Sequence, residues 1–266
     1  MSRRNSKTKV GIQIEHVRLR EERRIAAVDE LRALAIISMV GYHFCYDIVM
    51  IFGVDWPWFF GDKARLWQQI TSITFIVISG ICTRCSARPF VRAIKVGACA
   101  LLVTGATYFI YPDELVTFGI LHFLAASMLV WALFRRALQW INPLGGFIIS
   151  ALLAFATWNI NAGTVGFGSV TMRLPGFLYQ HYWLSVLGFL SPDYVSADYF
   201  PFIPYFFVFM AGSYLGVAVR KLPPSFAREH VGTLAFLGRH SLLVYMAHQL
   251  VIFGALSLVF RLAALR

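Results

Sequence analysis

Residues 31–52 read LRALAIISMVGYHFCYDIVMIF, an apolar run interrupted by His43 and Asp47. A helix needs about 20 apolar residues to cross a bilayer, so this stretch is expected to span one. At i and i+4 the imidazole and the carboxylate share one helical face, where they can meet. An ionisable group in the bilayer interior costs on the order of 3 kcal/mol, so such groups usually face a protein-lined or watered cavity and serve a function. The run is therefore expected to be half of an active site.

Composition agrees with a membrane setting. Hydrophobic residues are 58% of the 266 and charged residues 14%, against roughly 45–50% and 25% in soluble domains. An all-α, polytopic bundle is expected. The N-terminal stretch is polar and basic, without the short apolar core and small-residue cleavage site of a signal peptide, so the first span is expected to act as its own signal. Residues 1–25 read as a basic cytoplasmic segment and 26–266 as the membrane domain.

Apolar runs place seven spans near 30–52, 66–82, 96–111, 116–134, 144–160, 200–219 and 240–260. An eighth apolar stretch, 174–190, holds Pro175 and His181 with Pro192 just beyond, and reads as interfacial or re-entrant. Orientation follows from basic residues, which stay cytoplasmic in short loops. Arg3, Arg4, Lys7, Lys9, Arg18, Arg20, Arg23 and Arg24 precede span one. Arg84, Arg88, Arg92 and Lys95 follow span two, Arg135 and Arg136 follow span four, and Arg220, Lys221, Arg228 and Arg239 follow span six. The opposite loops carry Asp55, Asp62, Asp113, Glu114, Asp193 and Asp198 with few bases. N-in and C-out is the expected topology, and full crossing by 174–190 would reverse the charge pattern at 220–239. The basic excess is a topology signal that also suits lipid headgroups, and does not point to nucleic acid.

Cys45, Cys82, Cys85 and Cys99 lie in or beside spans. The Cys82-x-x-Cys85 pair lacks a second pair or a nearby His, so packing is expected for all four and no metal site. No phosphate-binding glycine loop, nucleophile elbow or internal repeat is present. Three histidines lie deep in spans. His43 is 13 residues past Glu30, about 20 Å along the helix. His122 opens span four, and His248 sits near the middle of span seven. Histidine has the pKa for taking or giving a proton near neutrality. Asp29 and Arg32 flank the start of span one; His16, His181, His230 and His240 fall in loops or at helix ends.

The run Val28-Asp29-Glu30-Leu31-Arg32-Ala33-Leu34-Ala35, followed by Met39-Val40-Gly41-Tyr42-His43-Phe44-Cys45-Tyr46-Asp47, resembles the opening of the heparan-alpha-glucosaminide N-acetyltransferase catalytic-domain family in its short bacterial form. So do Phe75-Ile76-Val77-Ile78-Ser79-Gly80, Phe118-Gly119-Ile120-Leu121-His122, and Asp198-Tyr199-Phe200-Pro201-Phe202-Ile203-Pro204-Tyr205 leading into Ala211-Gly212. The last block is Leu237-Gly238-Arg239-His240-Ser241-Leu242-Leu243-Val244-Tyr245-Met246-Ala247-His248-Gln249. Together they run in order from about residue 26 to 255, and Arg32-Ala33 stands where Arg-Gly is usual.

The resemblance implies transmembrane acetylation, with acetyl-CoA used from the cytosol and the acetyl group delivered to an acceptor across the membrane. His248 matches a C-terminal histidine of the family. On the residues themselves, Arg32, Arg84, Arg88, Arg92, Lys95 and Arg239 are the candidates for coenzyme A phosphates. Transfer needs a base to take the acceptor proton. His43 supported by Asp47 is the first expectation for base or acyl carrier and His248 the second, with His122 and Tyr42 as pocket groups. Asp198 and Tyr199 are placed to position a glycan or amino-sugar acceptor. The expected setting is a multi-pass protein of the plasma membrane, in a bacterium the inner membrane, in which a homo-oligomer is compatible with the sequence. A proton-coupled transporter, relaying protons through the same buried Asp and His, is the alternative from another class. A non-catalytic partner subunit is a third reading.

Overall fold

A computed structural model describes residues 25–264; the basic segment 1–24, with His16, and residues 265–266 lie outside the described residues. The membrane helices are α1 (Ala26–Tyr46), α2 (Asp62–Cys85), α3 (Pro89–Ile110), α4 (Ile120–Trp140), α5 (Pro143–Ala156), α6 (Phe202–Val219) and α8 (Ser241–Ala264), with a short α7 (Gly232–Arg239) before the last. Seven of these, counting the irregular turns that extend α1 to Ile51 and α5 to Ala162, are long and apolar enough to cross a membrane. The chain is an all-α polytopic bundle.

Local signals set several helix starts. Asn142 accepts from the backbone N–H groups of Leu144 and Gly145, and Pro143 follows in the first helical position, where no N–H is needed. Pro89 starts α3 in the same way. The helices outrun the apolar windows read from sequence, because a helix continues into the polar interface once its core is anchored. As a result Arg92 and Lys95 lie in the first turns of α3, and the joint between α2 and α3 is only residues 86–88.

α2 and α6 form the centre of the bundle, with α5 also packed on α6, α4 on α3, and α1 against both α2 and α7. The core runs through Ile76, Phe123, Met128, Trp131 and Phe209, all within 2% of full burial. Water gives no drive to helix association inside lipid, so close approach through small residues substitutes for it. A Cβ on Gly80 would run into the backbone of Phe209 and Ser213, and one on Gly212 into the backbone of Val77. Trp131 donates its indole N–H to Ser213 across the same core at 2.8 Å. Gly80→Val is therefore expected to cost more than the ~1–3 kcal/mol of ordinary overpacking, seen as loss of the monodisperse peak in detergent chromatography. Gly105→Val, at a site with open space around it, should keep that peak.

The opposite end of the bundle carries a cap between α5 and α6. It opens with an antiparallel hairpin, β1 (Thr164–Phe167) and β2 (Val170–Arg173), with Phe167 opposite Val170 and Gly168 at φ 51° in the turn. The stretch 174–190 follows as two 3₁₀ turns, Gly176–Gln180 and Tyr182–Leu187, and forms no helix long and apolar enough to cross a membrane.

Candidate functional site

His43 of α1 and His248 of α8 meet near the middle of the bundle, 4.9 Å between ring centroids in an edge-to-face arrangement. His248 is buried, and its Nδ1 donates to the carbonyl oxygen of Tyr245 in the preceding turn. A carbonyl only accepts, so in the neutral ring the proton sits on Nδ1 and the lone pair on Nε2. Nε2 is buried and has no hydrogen-bond partner among the described residues. The helix has thus fixed one tautomer and aimed the basic nitrogen into the bundle.

The expected His43–Asp47 pair does not form. The α-helical register of α1 stops at Tyr46, and Asp47–Ile51 form a π turn in which the Phe52 N–H reaches the Asp47 carbonyl. The Asp47 N–H still bonds the His43 carbonyl, so the two residues keep one helical face, and it is a partner on α8 that takes the carboxylate away from the imidazole. Asp47 is fully buried, and both its oxygens accept from Gln249 Nε2 at 2.8 and 2.9 Å. Asp47 thereby ties the end of α1 to α8 next to His248. Glu114, in the 3₁₀ turn Pro112–Glu114, closes this end from outside by accepting from the Tyr46 hydroxyl at 3.1 and 3.2 Å.

One turn before His248 along α8 lies a basic cavity of about 120 Å³, lined by Arg32, Arg92, Lys95, Ser79, Ser241 and Tyr245 and floored by apolar side chains. Tyr245 is shared: it lines this cavity, and its ring is 5.3 Å from that of His248. Arg32 does not snorkel. Its guanidinium donates to Asp29 at 2.8 Å and to the Gly238 carbonyl at 3.1 Å, and reaches Cys82 Sγ. Cys82 is thus a polar contact at the cavity edge, where packing alone was expected. Glu30 holds α7 from the same turn of α1, accepting the N–H groups of His230 and Val231 at 2.6 and 2.9 Å.

Of the expected phosphate-binding residues, the cavity collects Arg32, Arg92 and Lys95. Arg84 turns the other way, over the Tyr214 ring of α6. Arg88 sits exposed in the joint before α3, and Arg239 pairs with Glu229. No single helical side joins Arg84 to Lys95, because the joint at 86–88 breaks the helix between them.

The expected acceptor groups have local duties instead. His122 Nδ1 accepts from the Gly119 N–H at 3.3 Å, so Nε2 carries the proton and donates to Thr104 Oγ1 at 3.1 Å; that hydroxyl in turn donates to the Val116 carbonyl. Both nitrogens are used, and His122 is a helix-start clamp. Tyr199 donates to the Ser185 carbonyl at 2.6 Å and so folds the cap. Tyr42 packs on Phe59 and Trp67. Asp198 accepts from the Ile120 N–H at 3.0 Å, capping α4. Burial pushes the Asp198 carboxyl up to about 6 from 3.8, the Ile120 N–H opposing this more weakly. Between those values the folded protein keeps a proton the unfolded chain has lost, so Asp198 subtracts stability as pH rises through 6. Asp198→Asn keeps an acceptor for Ile120 and should remove that downward slope of the thermal midpoint between about pH 4 and 6; an unchanged slope would clear Asp198 of it.

Sequence reasoning missed Tyr245, Ser79, Gln249 and Glu114. Tyr245 had a signal, three residues before His248 on the same helical face. Gln249 and Glu114 had none, since their partners lie 202 and 68 residues away.

Comparison with curated proteins and with solved structures gave no match. The family described as "Heparan-alpha-glucosaminide N-acetyltransferase, catalytic" matches residues 24–250. That range includes the Glu30–Arg32 clamp, the His248–Gln249 turn and every residue lining the cavity. With most of its length matched, the chain belongs to the heparan-alpha-glucosaminide N-acetyltransferase catalytic-domain family of membrane acyltransferases.

Proposed function

We propose that the protein moves an acetyl group from acetyl-CoA, bound at the basic cavity, to a glycan or amino-sugar acceptor that enters from the opposite face. The observation that carries this is the shared wall, Tyr245, between a cavity suited to phosphates and a histidine with a free buried nitrogen. Arg92 and Lys95 would hold phosphate, with Arg32 held in place by Asp29 and Gly238 as the fixed positive charge behind them. From Arg32 to His43 is about 16 Å along α1, so donor phosphates and acyl chemistry would occupy different depths of the bundle. Acidic Glu114 borders the far side, favourable to a cationic acceptor.

His248 Nε2 takes the proton from the acceptor amine or hydroxyl as the acceptor attacks the thioester carbonyl. The new C–N or C–O bond forms as the C–S bond breaks, and the departing thiolate recovers the proton from His248. His43 borders the same space and limits where the acceptor stands. The basic residues that follow spans two, four and six support a cavity that opens to the cytoplasm, because short basic loops stay on that side.

The test supplies acetyl-CoA labelled in its acetyl group to the outside of inverted membrane vesicles. Label should appear in lumenal glycan with the wild type and not with His248→Ala. Label retained only in the external medium would remove the transfer across the membrane.

A further inference from the structure

A second cluster of cations lies on the same end of the bundle but outside the cavity. Arg84 at the end of α2, Arg135 in the last two turns of α4 and Arg220 just after α6 come from three helices whose ends are close, and the charges of Arg220 and Arg135 both act on Arg84. Gly216 of α6 makes room for this: a Cβ there would press on the Arg84 Cβ at 3.3 Å. The Arg84 guanidinium lies 5.7 Å over the Tyr214 ring, and that of Arg135 5.8 Å over Trp131. Among the described residues none of the three forms an ion pair, and Arg84 Nη1 is buried without an acceptor.

A lone arginine at a helix C-terminus is ordinary, since it complements the helix dipole. Two that crowd a third, itself with a buried nitrogen lacking an acceptor among the described residues, are not accounted for in that way, because leaving a charged donor unpaired is costly. The aromatic rings hold the guanidinium planes in place but supply no counter-charge. What the arrangement lacks is an anion with several oxygens, matched to forked donors, at the level of the membrane surface.

We propose that Arg84, Arg135 and Arg220 form a phosphate site separate from the basic cavity, filled by the headgroup of an anionic phospholipid or by free phosphate. Bound there, the phosphate ties α2, α4 and α6 together at the end where the cavity opens. Its affinity should fall about fivefold for each arginine removed, the scale of one basic side chain at an anionic surface.

The experiment uses the full-length protein in a neutral detergent and follows its thermal midpoint. Phosphatidylglycerol, phosphatidylcholine and inorganic phosphate are titrated separately at matched ionic strength. Stabilisation by phosphatidylglycerol alone names the lipid headgroup, and stabilisation by inorganic phosphate as well names the free anion. In either case the response should weaken in Arg84→Gln and in Arg135→Gln/Arg220→Gln, and persist in Arg92→Gln/Lys95→Gln. The double variant decides alone if Arg84→Gln does not fold. Equal response to all three additions, or a response lost with Arg92 and Lys95 but kept without Arg135 and Arg220, overturns the proposal.

Discussion

His248→Ala is expected to lower acetyl transfer by about 10²–10⁴, the range that a positioned general base supplies, while the protein still inserts and purifies. The expectation rests on Nε2: it is buried, has no hydrogen-bond partner among the described residues, and is held in the basic tautomer by the Tyr245 carbonyl. His248→Gln should be no rescue, because an amide cannot take a proton at neutral pH. His43→Ala should cost less, and the double variant should lose little beyond His248→Ala, since residues acting on one step do not add. Asp47→Asn should leave the pH profile of transfer in place, as the carboxylate meets Gln249 and neither ring. Full transfer by His248→Ala would move the chemistry to His43, and full transfer by both single variants would end the histidine mechanism.

Arg92→Gln with Lys95→Gln should weaken acetyl-CoA binding by about 10- to 100-fold at low salt, from loss of charge-assisted hydrogen bonds of roughly 1.5–3 kcal/mol. The loss should shrink as ionic strength rises and the Debye length falls. Arg88→Gln and Arg239→Gln provide the comparison, since the first is exposed in a joint and the second is paired with Glu229 outside the cavity. Equilibrium binding to purified protein separates these cases. Equal weakening by all four changes would show a diffuse surface charge rather than a site. Arg32 is left untouched here, because removing it would also release Asp29, Gly238 and Cys82.

The membrane helices were legible because twenty apolar residues in a row have few other destinations. Their ends were not, since the turns holding Arg92, Lys95 and Asp62 are polar yet helical. The hairpin Thr164–Arg173 was missed for its size: strands of four residues give no period to read. In the site, His248 and His43 stood out singly, as polar groups where lipid is the solvent. That they face each other was hidden, since it depends on how α1 packs on α8. The Asp47 pairing failed for a distant reason: Gln249, 202 residues on, takes the carboxylate that a reading of α1 alone gives to His43. Arg84 and Arg92 look equivalent in sequence, and only the break at 86–88 sends one to α6 and the other to the cavity.

The clamp between the start of α1 and α7 imposes an order on biosynthesis. Arg32 meets the Gly238 carbonyl 206 residues later, and Glu30 meets the backbone of His230 and Val231 200 and 201 residues later. At roughly 5–20 residues per second, the first span waits about 10–40 s for those partners to be made. Throughout that interval a nascent chain carries Glu30 without the backbone donors it later holds. Any truncation before residue 230 leaves it so permanently, and such fragments present to membrane quality control a charged helix that the finished protein conceals.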